Sequence, residues 1–151
     1  MEKKSLRFQL RSIKQKSSYL NSIESLGIQE FKSEKIGLRK GYSLKFDQDE
    51  GILSIDTGID FMYTDAENDP QKLFGVMVEL QFHFQNYKGI VTLIDENTLD
   101  IPDQLAVNLI SIAYSTARGI LFCLTSKSEY DGVYLPLTDP NEFQKTINQV
   151  E

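Results

Sequence analysis

Few side chains in this 151-residue chain are suited to chemistry: one histidine, His83, one cysteine, Cys123, and carboxylates scattered along strand-like and turn-like stretches. His83 stands between Phe82 and Phe84 on the polar side of an alternating segment. Catalysis there would need a partner at hydrogen-bond distance, and no local motif supplies a serine or cysteine nucleophile, so a solvated strand histidine is the expectation. Asp56 and Asp60 fall two steps apart on one strand face. That geometry could seat an acid and a base, yet polar residues are also what a solvated face requires. The clusters Asp47-x-Asp49 and Asp65-x-Glu67-x-Asp69 could offer oxygens to a hard cation. Neither has the spacing of an EF-hand, because Gly51 comes one position early and Val76 stands where a closing glutamate is needed. No glycine-rich phosphate loop, CxxC pair or HExxH helix occurs in the sequence. The expectation is therefore no catalytic residue, no metal site and no cofactor.

What remains is apolar surface, carried by nine phenylalanines and seven tyrosines. Positioning it falls to a series of alternating segments. Leu6, Phe8 and Leu10 alternate with polar residues as in a strand with one buried face, and Ile13 breaks the phase, which predicts a strand ending in a bulge near Lys14. From Ser17 to Gly41 no clean period emerges, and the scattered hydrophobes predict a long connection pinned to the surface. Tyr42, Leu44 and Phe46 alternate again, and Asp47-Gln-Asp-Glu-Gly51 reads as the turn of a hairpin. On the return strand Leu53, Ile55, Thr57, Ile59, Phe61 and Tyr63 share one face. Pro70 marks a break. The strongest strand signal follows at Leu73 to Gln85, with Phe74, Val76, Val78, Leu80, Phe82 and Phe84 on the face that must be buried. Ile90 to Ile94 is expected to form a further strand or a kinked extension.

Asp100 is the expected N-cap of a long helix, with Pro102 in its first turn. Leu105, Leu109, Ile112, Ala113, Ala117, Ile120, Leu121 and Leu124 make its apolar stripe, opposite Asn108, Ser111, Ser115 and Arg118. Cys123 on that helix is expected to be a small buried hydrophobe. Pro140-Asn-Glu-Phe143 should open a short C-terminal helix.

Composition sets outer bounds. One domain spanning 1–151 is expected, since domains commonly hold roughly 100–200 residues. Hydrophobic residues at 40% and charged ones at 25% are those of a globular protein. A net charge of −6 argues against nucleic-acid binding. The basic start is followed by no signal-peptide run, and no stretch reads as long enough to span a bilayer, so a cytoplasmic protein without membrane insertion is expected.

The order of these segments resembles the SecB export chaperones. Phe8-Gln-Leu-Arg-Ser-Ile13 looks like the family's opening strand, Tyr42-Ser-Leu-Lys-Phe-Asp47 like the strand entered from its crossover, and Val76-Met-Val-Glu-Leu-Gln81 like its third strand. Gly89-Ile-Val-Thr-Leu-Ile94 is similar to the fourth. Asn108 to Tyr114 with Ala117-Arg118 resembles the helix motif Asn…Pro-Tyr-Ala-Arg, and Leu135-Pro-Leu with Asn141-Glu-Phe143 the run into the last helix. Ala113 stands where the family has proline, and Ser17, Ser18, Tyr19 and Leu20 where it has acidic residues.

The resemblance implies an α+β fold: a four-stranded antiparallel sheet with a long crossover connection, packed against one long helix and a short C-terminal helix. It implies an ATP-independent holdase for unfolded or precursor polypeptides, working in protein export or guarding a dedicated client such as an antitoxin. Clients would meet Phe31, Ile36 and Leu38 of the crossover and Tyr42, Leu44 and Phe46 beside the helix. Met77 and Glu79 would face a partner such as SecA. A homo-oligomer, a dimer of dimers, is also implied. The opposing expectation is a small ligand-binding protein or enzyme with an enclosed pocket containing Asp56, Asp60 or His83. A third is a plain interaction subunit.

Overall fold

Alternation of apolar and polar residues produces the central hairpin, whose every inward side chain is buried. The structure, a computed structural model, describes residues 5–65 and 69–133. The anticipated C-terminal helix, the Leu135-Pro-Leu run and Glu67 lie outside the described residues. Strand β1 (Arg7–Leu20) is followed by a connection containing a short 3₁₀ turn (Ser33–Lys35), then β2 (Ile36–Asp47), β3 (Ile52–Tyr63) and β4 (Gln71–Gln85). A small hairpin, β5 (Thr92–Asp95) and β6 (Thr98–Asp100), leads into helix α1 (Asp103–Thr125). The first four strands form one antiparallel sheet in the order β1-β4-β3-β2.

The β2–β3 turn has a local cause. The Asp47 carboxylate accepts hydrogen bonds from the backbone N–H groups of Asp49 and Glu50, 3.0 and 3.1 Å away. Gly51 has a φ of +67°, and an added Cβ would lie 2.6 Å from the Tyr87 ring, so both conformation and space call for glycine. The acidic run is a turn device in this structure.

On β3 Leu53, Ile55, Thr57, Ile59, Phe61 and Tyr63 are buried, as are Phe74, Val76, Val78, Leu80, Phe82 and Phe84 on β4. Helix α1 covers this face. Its buried residues are Ala106, Val107, Leu109, Ile110, Ala113, Tyr114, Ala117, Leu121 and Thr125.

The structure corrects several expectations. Strand β1 does not end near Lys14: its register slips at Leu10/Ser12 and again at Gln15/Ser17, and pairing with β4 continues to Leu20. The first slip returns Ile13 to the face of Leu10, opposite Leu80, which is why the apolar phase breaks without the strand breaking. Ser17 to Leu20 are therefore strand residues. The connection is only residues 21–35, because β2 begins at Ile36 rather than Tyr42. The segment expected as a fourth strand leaves the sheet: Asn86 takes a positive φ of 58°, and Thr92–Asp95 pairs only with Thr98–Asp100. The four strands of the main sheet include Ile52–Tyr63 instead.

Asp100 belongs to β6, and Pro102 is the N-cap, without a side-chain cap. Ile112 is 38% exposed, and Cys123 is exposed rather than buried. By length and composition alone α1 is also long and apolar enough to cross a bilayer, contrary to the expectation from the sequence. Here it lies along the sheet.

The connection is pinned from three sides. Asn21 N–H donates to the Leu73 carbonyl at 2.8 Å, and Gln71 Nε2 to the Leu26 carbonyl at 3.0 Å. The Tyr63 hydroxyl donates to the Glu30 carbonyl and accepts from Lys32 N–H, both at 3.2 Å. Beyond α1, the Tyr130 hydroxyl donates to the Asn21 carbonyl. Tyr130 is fully buried against Phe74, with ring centroids 4.7 Å apart.

Candidate polypeptide-binding site

The six residues anticipated as a client strip come from two elements. Ile36, Leu38, Tyr42, Leu44 and Phe46 alternate along one face of β2, opposite Tyr63, Phe61, Thr57, Ile55 and Leu53 of β3. They therefore share the side that α1 covers. Phe31 arrives from the connection and stacks on Tyr63, ring centroids 5.3 Å apart. All except Phe46 are half-buried and pack against the core, while Phe46 is only 4% exposed. Lys40 interrupts the strip, its ammonium 5.2 Å from the centre of the Tyr114 ring.

A second apolar flank was not singled out in the sequence. Helix α1 packs on β3 and β4, which leaves the outer strand β1 largely uncovered. Phe8, Leu10 and Ile13 are 43, 41 and 50% exposed on the helix side of the sheet. Phe8 meets Phe82 and Phe84 edge to face, at 6.1 and 6.2 Å between centroids. Between β1 and α1 runs an open groove of about 570 Å³ lined by Gln15, Thr116, Gly119, Ile120, Cys123 and Leu124. The outer edge of β1 pairs with no other strand among the described residues. The signal was present, since Leu6-Phe8-Leu10 alternates, but alternation reports a buried face only if something lies over it.

Met77 and Glu79 lie on the opposite, open face. Its residues form four rows across the sheet, ordered from β2 to β1: Lys45, Ser54, Gln81, Ser12; then Ser43, Asp56, Glu79, Lys14; then Gly41, Gly58, Met77, Ser17; then Arg39, Asp60, Gly75, Tyr19. Ion pairs stitch the rows. Lys16 Nζ lies 3.1 Å from Asp56 Oδ2, and Arg39 lies 3.2 Å from Asp60 Oδ2. The Tyr19 hydroxyl donates to Asp60 Oδ1 at 2.6 Å. Burial, then the Asp60 hydrogen bond and charge, hold the Tyr19 phenol well above its usual range.

Asp56 and Asp60 are thus engaged with separate cations on an open face, and His83 sits two rows from Asp56, about 14 Å along the strand. These three groups do not converge in an enclosed pocket. Among the described residues no group of three or more His, Cys, Asp or Glu side chains could hold a metal.

Four antiparallel strands carrying one long helix on a single face, with both outer strands only partly covered, make an α+β fold consistent with that of a SecB-like chaperone. A solved structure agrees: the chain is similar to the Mycobacterium tuberculosis Rv1957 SecB-like chaperone in complex with a ChAD peptide from the Rv1956 HigA1 antitoxin. That likeness has a TM-score of 0.52 at 14% identity, over 88% of each chain. A protein of unknown function from Streptococcus agalactiae is matched with a TM-score of 0.43 at 13% identity, over 80% of this chain and 89% of that one. No protein-family model and no curated protein matches the sequence.

Proposed function

We propose that this protein is an ATP-independent binder of unfolded or extended polypeptides, a holdase or the dedicated chaperone of one partner. The observation that carries the reading is the pair of apolar flanks left beside α1. On one side Phe8, Leu10 and Ile13 accompany a free strand edge and an open groove. On the other lies the half-buried strip Phe31, Ile36, Leu38, Tyr42 and Leu44, ending at the buried Phe46. An extended polypeptide can add backbone hydrogen bonds to a strand edge while burying alternate side chains on such a flank. The Mycobacterium tuberculosis neighbour is a chaperone holding an antitoxin peptide, which supports a polypeptide ligand over a small molecule.

Export delivery through SecA, assembly as a dimer of dimers and a cytoplasmic location belong to this proposal. The deciding experiment dilutes an aggregation-prone polypeptide from denaturant with increasing amounts of the protein and no nucleotide. Suppression of light scattering near stoichiometric amounts is expected. Leu10→Thr with Ile13→Thr, and separately Phe31→Ala with Leu44→Thr, assign the activity to one flank or both. Failure against several unrelated clients would remove the general holdase and leave the dedicated partner.

A further inference from the structure

The open sheet face has a charge opposite to that of the chain. The sequence carries 22 acidic and 16 basic residues, a net charge of −6. Yet Arg7, Lys14, Lys16, Arg39, Lys45 and Lys72 all stand on this face, Lys72 with its ammonium 5.7 Å from the centre of the Tyr19 ring. Its carboxylates are largely committed. Asp56 and Asp60 are ion-paired, and Asp47 caps its own turn. Glu79 lies in register between Asp56 and Lys14. Arg7, Lys14 and Lys45 form no ion pair among the described residues. Two of them mark opposite rims, Lys14 on β1 and Lys45 on β2, about 14 Å apart across the sheet and one row, about 7 Å, apart along it at the usual strand dimensions.

One row beyond that of Lys14, and two beyond that of Lys45, a row of low relief crosses the same face. Gly41 and Gly58 leave no side chain, and Met77, 37% exposed, lies over Gly58. We propose that this face docks an acidic polypeptide segment that places carboxylates on the Lys14 and Lys45 rims and an apolar side chain on the Gly41–Gly58–Met77 row. A nucleic acid fits less well, because an evenly charged backbone crossing from rim to rim would pass over Asp56 and Glu79. A polypeptide can set neutral residues there. The site lies on the side of the sheet away from α1, so it stands or falls separately from the apolar flanks.

The test uses the full chain and three labelled probes in fluorescence anisotropy: a short peptide with glutamates on both sides of a leucine pair, the same peptide with lysine for every glutamate, and an oligothymidylate of the acidic peptide's net charge. The acidic peptide should bind at least about tenfold more tightly than the basic one, a difference of about 1.4 kcal/mol. Its affinity should fall as salt rises toward about 1 M, where screening shortens to roughly 3 Å. The neutral pair Lys14→Gln with Lys45→Gln should weaken it at least severalfold, with an unchanged circular-dichroism spectrum and unchanged aggregation suppression. Absence of acidic-peptide binding, equal or tighter binding of the basic peptide, or indifference to the double substitution would overturn the proposal. Tighter binding of the oligothymidylate would overturn it in favour of nucleic acid. Loss of aggregation suppression with peptide binding intact would count against the proposed function and leave this one standing.

Discussion

Tyr130 joins the end of the chain's helical segment to its first connection, and it can be tested by one atom. Burial, and then the charge of Glu129, push its phenol up to about 12 from 10.0. A raised phenol pKa means the neutral form is favoured in the fold. The stabilisation is complete below pH 10, the unfolded value, and is lost as pH rises through 12. Chemical denaturation across this range should show an alkaline loss of stability that Tyr130→Phe reduces. At neutral pH the same substitution should cost about 1 kcal/mol for the lost hydrogen bond to the Asn21 carbonyl. Thr57 gives the opposite sign. Its hydroxyl is buried beneath the helix without a hydrogen-bond partner among the described residues. Thr57→Val should therefore raise the urea midpoint, by up to about 1–2 kcal/mol of stability. At Gly75 a Cβ would lie 2.6 Å from the Ile59 carbonyl oxygen, 2.7 Å from Asp60 Oδ1 and 2.8 Å from the Tyr19 ring. Gly75→Ala should cost about 1–3 kcal/mol by equilibrium unfolding, because backbone is among the atoms that must move.

Among the elements, β1 shows most directly how pattern and placement differ. The first of its two register slips keeps Ile13 on the helix side with Phe8 and Leu10, so the sequence specifies a face. The helix does not reach that face, and the side chains stay open. Leu10→Thr with Ile13→Thr retains strand-compatible side chains at Ile13 and exchanges only exposed apolar surface. Stability should change by no more than about 0.5 kcal/mol per site, while polypeptide binding on that flank falls. Measuring both on the same variant separates a binding surface from a structural one. The β2 strip behaves differently, since Phe31 and Leu44 pack against the core and their substitution should lower stability together with binding.

At the scale of the whole molecule, one sheet separates two chemistries. The helix side presents apolar flanks, and the far side presents rows of paired charges with unpaired cations at its rims. Raising salt should therefore leave association on the flanks unchanged or stronger, and weaken association with the far face. A titration with the aggregation-prone client and the acidic peptide, singly and together, should show the two binding without competition.

Much of this was legible in the chain. Period-two alternation marked the buried face of β3 from Leu53 to Tyr63 and of β4 from Phe74 to Phe84, because a strand covered on one side buries every second side chain wherever no bulge intervenes; Leu73 is buried out of that phase. The acidic turn was an equally local property, and the helix stripe was legible at Leu109, Ala113, Ala117 and Leu121, while Ile110 and Tyr114 are buried outside it and Ile112 is exposed. Where the sequence misled, the deciding contact was distant. Ile90 to Ile94 has strand residues, yet the backbone turns at Asn86 and takes them out of the sheet. Asp100 has the chemistry of an N-cap, but β6 claims it. Cys123 has the character of a buried residue and stands in the open because it faces the groove beside β1, which α1 does not cover. The candidate sites depended on tertiary structure more heavily still. Met77 and Glu79 were placeable on one strand face, whereas the neighbouring rows that carry Lys14 and Lys45 exist only through the register of four strands. The sequence by itself determined which faces are apolar and which are polar, because side-chain period is a property of each strand and helix alone. The tertiary structure decided which of those faces are covered, because coverage depends on where one helix comes to rest across the sheet.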